Sequence, residues 1–337
     1  MSFGALDEAR GTRRDVLALC AASGAVLAAA MPIGRAAGQE ATPEASPEDG
    51  SGGPRVDSAF SSKILPMLGL RTIDLTMSAD GLAGAPAEVP GGELLVNWTT
   101  EGVVGYLLFA RPAEGLTEEQ ELEQAKQAGS NDLPQEGWVY GGGANADPDT
   151  TVQVVVRLTP GAWTLYASHM DPAGTFETDE IYTLTRLTVT GDAAGPLASP
   201  VADPDAALPV DVTVEMHDAA YAMGTDTVGV GPKLWAFPNV GESQSHHVVM
   251  VRTTKLVESA DIDALVAAFS SEEGVPPDWF LQVTFVGYTA LVSPGYVAYN
   301  EFSLDEGSHL MLCFIVDTET RMPHFAMGMW AAFTVEA

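Results

Sequence analysis

Cysteine is nearly absent from this chain. Two occur in 337 residues, and Cys20 lies in an apolar N-terminal run, which leaves Cys313 alone in the remainder. A disulfide framework is excluded, as are zinc sites that need two or more thiolates. Basic residues are scarce too: 15 Lys and Arg stand against 46 Asp and Glu, a formal net charge of −31. That balance excludes nucleic acid and anionic membrane surfaces as partners and leaves a basic protein or plain solvation of the exterior. Histidine is limited to six residues with no His-x-His pair, so a trinuclear metal cluster built on such pairs is excluded as well.

The N-terminus carries an address. Thr12-Arg13-Arg14-Asp15-Val16-Leu17 is a twin-arginine motif, 16–33 is apolar and alanine-rich, and Ala36-Ala37-Gly38 offers a cleavage site. Residues 1–38 read as a signal for export across the bacterial inner membrane, giving a periplasmic, cell-surface or secreted protein. Retention of the run as an anchor is the alternative. Residues 39–62, rich in Pro, Glu, Ser and Gly, read as a disordered linker. In an oxidising compartment the one remaining thiol, Cys313, has no internal disulfide partner, and a bound metal would protect it.

From 63 the pattern changes to short alternating strands between Gly and Pro turns, such as Arg71-Thr-Ile-Asp-Leu-Thr-Met77 and Thr151-Val-Gln-Val-Val-Val-Arg157. Thr117-Glu118-Glu119-Gln120 is a capping box that opens a short helix. A β-sandwich with one inserted helix is expected over 63–190, followed by a Pro/Ala/Asp-rich joint at 191–209. The plan then recurs over 210–337. Leu158-x-x-Gly161 aligns without gaps on Leu304-x-x-Gly307, Asp171 falls on Asp317, Trp138 has a counterpart in Trp279, and Asn97 and Asn239 each precede a helix start by the same interval. The fold class is all-β: two tandem Greek-key sandwiches, each with one short inserted helix. In this alignment Ala167 falls on Cys313, Thr178 on His324, Thr183 on Met329 and Val104 near His246, so the first copy lacks chemistry that the second has.

That chemistry is concentrated near the C-terminus. Cys313, His324 and Met329 lie on one short segment, and His246 opens a strand after the turn Asn239-Val240-Gly241. One thiolate, two imidazoles and a thioether suit copper in both oxidation states, as in a blue-copper centre. On the strand, His246 shares a face with Val248 and Met250, and His247 points the other way. His309 reads as a packing residue and His169 as a surface residue.

The segment resembles the copper-binding end of the cupredoxins, the family of plastocyanin, azurin and the copper nitrite reductases. Gly307 precedes Cys313 by six residues, His324 and Met329 are separated by four, and His246 follows an Asn-x-Gly turn, as in that family. The resemblance implies one type 1 copper per chain, with His246, Cys313 and His324 as strong ligands and Met329 as a weak axial one. It also implies one-electron transfer through the edge of His324, an electron carrier rather than a catalyst. An apolar collar of Met322, Pro323, Phe325, Ala326 and Met327 would dock a redox partner there. Ten residues separate Cys313 from His324, more than in small cupredoxins. Leu312, rather than a His, stands before Cys313, which argues against an enzyme that couples two copper sites. A copper carrier or store, and a metal-free interaction module, are the other readings.

Overall fold

The computed structural model describes residues 62–130, 134–170, 181–191, 208–270 and 275–337. The signal, almost all of the linker, most of the joint, Asp171 and Thr178 lie outside the described residues. Alternation dominates what is seen: Ile73, Leu75 and Met77 on one strand turn into the core while their neighbours face outward, as a half-buried strand requires.

The first half holds β1 (Arg71–Ser78), β2 (Gly81–Ala83), β3 (Glu88–Pro90), β4 (Gly92–Glu101), β5 (Val104–Arg111), β6 (Val139–Ala146), β7 (Thr151–Leu158), β8 (Gly161–Met170) and β9 (Ile181–Thr190). The second holds β10 (Val212–His217), β11 (Ala220–Met223), β12 (Thr227–Gly229), β13 (Gly231–Pro238), β14 (His246–Thr253), β15 (Thr284–Val292), β16 (Val297–Leu304), β17 (Gly307–Leu312) and β18 (Trp330–Glu336). Helix α1 (Glu118–Ser130) follows β5 and α2 (Ser259–Phe269) follows β14. The Thr117–Gln120 capping box forms in both directions. Helix α2 starts at Ser259 and is capped by Glu258, boxed with Asp261. A further short helix, α3 (Asp278–Leu281), buries Trp279 and has no partner in the first half among the described residues.

The strands form two sheets, and both run through the two halves. One has the order β11-β10-β13-β16-β7-β4-β1-β2, the other β12-β18-β17-β14-β15-β6-β5-β8-β9-β3. Each order reads the same from either end once equivalent strands are exchanged. The halves therefore meet about a local two-fold axis, antiparallel, through β16 against β7 and β15 against β6. Asn300 pairs with Val154, its own counterpart. The 3-10 turn Leu65–Leu68 lies over this joint and packs Leu65 with Leu95, Val155, Leu234 and Val297. Its entry is held by the buried Glu301 carboxylate, which accepts from the backbone of Lys63 and Ile64.

The equivalence is detailed. Gly161 and Gly307 both sit at φ +134°, a conformation that side chains avoid, and each backs onto an arginine, Arg111 or Arg252. Gly161 pairs with Val189 as Gly307 pairs with Val335, so 158–190 matches 304–336 without gaps. The Asn97–Asn239 match is corrected. Gly92 sits opposite Leu158 and Gly231 opposite Leu304, which puts Thr100 where Asn239 stands. Asn97 is mid-strand and bonds Asp74 and Gln153. His169 is also corrected: Trp163, Leu165, Ala167 and His169 alternate along β8 onto one buried face.

Candidate metal centre

β14 begins at His246 and lies antiparallel beside β17, with Val249 opposite Leu312, the residue before Cys313. The chain leaves β17, loops out, and returns in the 3-10 turn His324–Met327, which Pro323 opens and Gly328 closes at φ +114°. Main-chain bonds close the loop on itself: His324 N donates to Ile315 O, Phe325 N to Cys313 O, Met329 N to His324 O and Cys313 N to Met329 O. Its ten intervening residues do not stretch the site. Asp317 folds the excess inward by accepting from the backbone of Glu319 and Thr320 and from the Thr320 hydroxyl, and Val316 bridges to Pro323.

The result brings three of the four expected ligand residues into one measured cluster. One donor atom each from His246, Cys313 and His324 lies within 4.8 Å of the others. The two Nδ1 atoms are 3.1 Å apart, and Cys313 Sγ is 3.6 Å from His324 Nδ1. All three side chains are buried, and no carboxylate belongs to the cluster. Soft sulfur with two imidazole nitrogens selects copper over the hard, oxygen-seeking cations. This is the donor set of a blue-copper site.

No family model matches the chain, and no curated protein does. Among solved structures it is similar to reduced auracyanin from Roseiflexus castenholzii, at 23% identity over 38% of this chain and 99% of that one, TM-score 0.24. Rusticyanin from Thiobacillus ferrooxidans gives 15% identity over 37% and 75%, TM-score 0.23. The copper nitrite reductase of Nitrosomonas europaea gives 12% over 79% and 93%, TM-score 0.21. Scores of this size carry no functional inference.

Electrostatics suit a ligand cluster. Burial, then the neighbouring His324, pushes His246 down to about 3, and burial pushes His324 down to about 4 against the opposing pull of Asp317 and Asp218. Both imidazoles are neutral at physiological pH, the state in which nitrogen binds metal. Met329 is fully buried, and its backbone is tied to both Cys313 and His324.

The loop before His246 is fixed from three sides. Asn239 Nδ2 donates to Gln244 O and Val292 O, and its Oδ1 accepts from Gly241 N. Gln244 Nε2 reaches across to Asp317 Oδ2 at 2.7 Å, bracing one ligand loop against the other. Ser245 Oγ contacts Ser293 Oγ, which accepts from Tyr140 N in the first half.

Sequence reasoning missed three residues here. His247 is buried with its Nε2 accepting from Phe314 N at 2.8 Å, so it holds the chain just past Cys313. The Tyr221 hydroxyl donates to His247 O, and burial, then the nearby Cys313, raises its pKa well above the ordinary tyrosine value. Asp218, in the turn between β10 and β11, accepts from Glu242 N, Ser243 N, Ser243 Oγ and Gln244 N. A lone Asp in a turn carries no sequence signal for this. The collar is partly corrected: Phe325 is not at the rim but in the core, packed edge-on against Phe269 and Phe314. His217 is exposed and pairs with Glu215. His309 stacks on Phe333.

Proposed function

We propose that this chain is an exported type 1 copper protein that carries single electrons, with one copper held by His246, Cys313 and His324 and a weak axial contact from Met329. The observation that carries the reading is the buried convergence of two imidazole nitrogens and the chain's one remaining thiol within 4.8 Å. Copper held there supplies a one-electron couple. The protein's part is to keep the donors in place through a change of charge. Cys313 and His324 are joined by short main-chain ties, and Asn239 and Gln244 brace the loop of His246. A site so fixed reorganises little between oxidation states.

The domain division follows the same reading: 63–190 is a metal-free sandwich and 210–337 the copper-binding one. Ala167 and Thr183, the counterparts of Cys313 and Met329, offer no soft donor. The redox partner docks beside His324, where Met327 is exposed and Met322 and Ala326 are half-buried. No helix among the described residues is long and apolar enough to cross a membrane.

The test is to add copper(II) to the purified protein and record visible absorption and electron paramagnetic resonance. A thiolate-to-copper charge-transfer band, one copper per chain, and loss of the band in Cys313→Ser are expected. A colourless wild type without stoichiometric copper would overturn the reading. Rapid loss of the metal to a mild chelator on reduction would turn it into a carrier or store.

A further inference from the structure

The outer nitrogen of His246 has been left without a role. Nδ1 faces the donor cluster, and Nε2, on the opposite edge of a fully buried ring, has no hydrogen-bond partner. What it faces is the Asp218 carboxylate, with Oδ1 at 3.9 Å. That carboxylate is held from the far side by the four loop donors of Glu242, Ser243 and Gln244. The loop approaches so closely that a β-carbon at Gly241 would overlap Oδ1. A larger residue than glycine at 241 would therefore push the carboxylate from its place.

We infer that Asp218 is the outer partner of the metal-bound His246: it fixes the tautomer that frees Nδ1 for the metal, and its charge favours the oxidised site. The inference rests on the copper reading above. The chemistry is general. A metal-bound imidazole donates its remaining N–H, and a carboxylate acceptor both orients the ring and makes it a stronger donor to the metal. A fixed negative charge on that side favours the more positive metal, so it holds copper(II) more tightly relative to copper(I). Asp218 touches a ligand and not the metal, which makes it a positioning residue.

The experiment compares copper-loaded wild type with Asp218→Asn and Asp218→Glu. Asparagine keeps the shape and removes the charge. The charge-transfer band should persist in Asp218→Asn, while the copper(I)-to-copper(II) affinity ratio rises about tenfold, a potential higher by about 59 mV for one electron. Asp218→Glu, which restores the charge, should return most of the shift. An unchanged or lowered potential in a coloured Asp218→Asn protein would overturn the inference while leaving the copper reading intact. A wild type with no band sinks the copper reading itself, and the inference with it. Should the variants fail to fold, the wild type decides: reduced, copper(I)-loaded protein should give a downfield, slowly exchanging Nε2–H proton resonance from His246. A fast-exchanging Nε2–H overturns the assignment.

Discussion

Buried imidazoles set a limit on how acid the metal-free protein can become before it unfolds. His246 and His247 are pushed down to about 3 and His324 to about 4 from an ordinary value of 6.5, in each case chiefly by burial. Between those values and 6.5 the unfolded chain binds protons that the folded chain refuses, so stability falls as pH falls. Full stability is present above 6.5, and the loss ends only below the folded values. These three protons correspond to a slope of about 4 kcal/mol per pH unit, and His169 and His309, also lowered by burial, add to it. A total stability of about 5 kcal/mol is then spent near pH 5 and one of about 10 kcal/mol near pH 4. The depressed carboxylates Asp218 and Asp317 act in a different window, below their ordinary 3.8, and leave this slope untouched. Denaturant unfolding of metal-free protein at half-unit steps from pH 7.5 to 5 measures the slope directly. His247→Gln, which keeps an acceptor for Phe314 N, should reduce it by about 1.4 kcal/mol per pH unit. A stability that stays flat between pH 7 and 5 would refute the picture of neutral, water-excluded imidazoles.

Met329→Leu should keep the coloured site and shift its potential, because a long axial thioether tunes copper more than it holds it; redox titration checks this. His324→Gly should open the site to external imidazole, seen as recovery of the band on titration. Asn239→Ala removes two buried donors and should cost about 2–3 kcal/mol in denaturant unfolding, with faster copper loss to a chelator. Gly161→Ala and Gly307→Ala should each cost about 1–3 kcal/mol, since both glycines sit at the same positive φ. A near-zero cost at either position would show that the backbone there relaxes.

How much could be read beforehand differs between the two kinds of information. The strands were legible because alternation is written residue by residue, and the match of 158–190 to 304–336 because no insertion interrupts it. The soft donors were legible because Cys313 is the one cysteine outside the apolar N-terminal run. Asn97 misled because alternating strands look alike at many registers, and an equal interval to a helix start cannot choose among them. Thr100, the true counterpart of Asn239, shares its position but not its chemistry. Phe325 and His169 were misplaced for a common reason. Each looks exposed in a list of neighbours and becomes interior once a second layer covers it. Asp218 was out of reach: it contacts His246 across the fold, and its value lies in where a turn ends, not in any spacing along the chain.

The join between the halves has a consequence for the site. Two identical chains that each offer the same strand edges to the other meet as β7 meets β16 and β6 meets β15, about a two-fold axis. The two halves of this one chain thus have the arrangement that a symmetric homodimer would have. The shared edge makes the metal centre depend on both halves: through Tyr140 and Ser293, a strand of the first half reaches the residue next to His246.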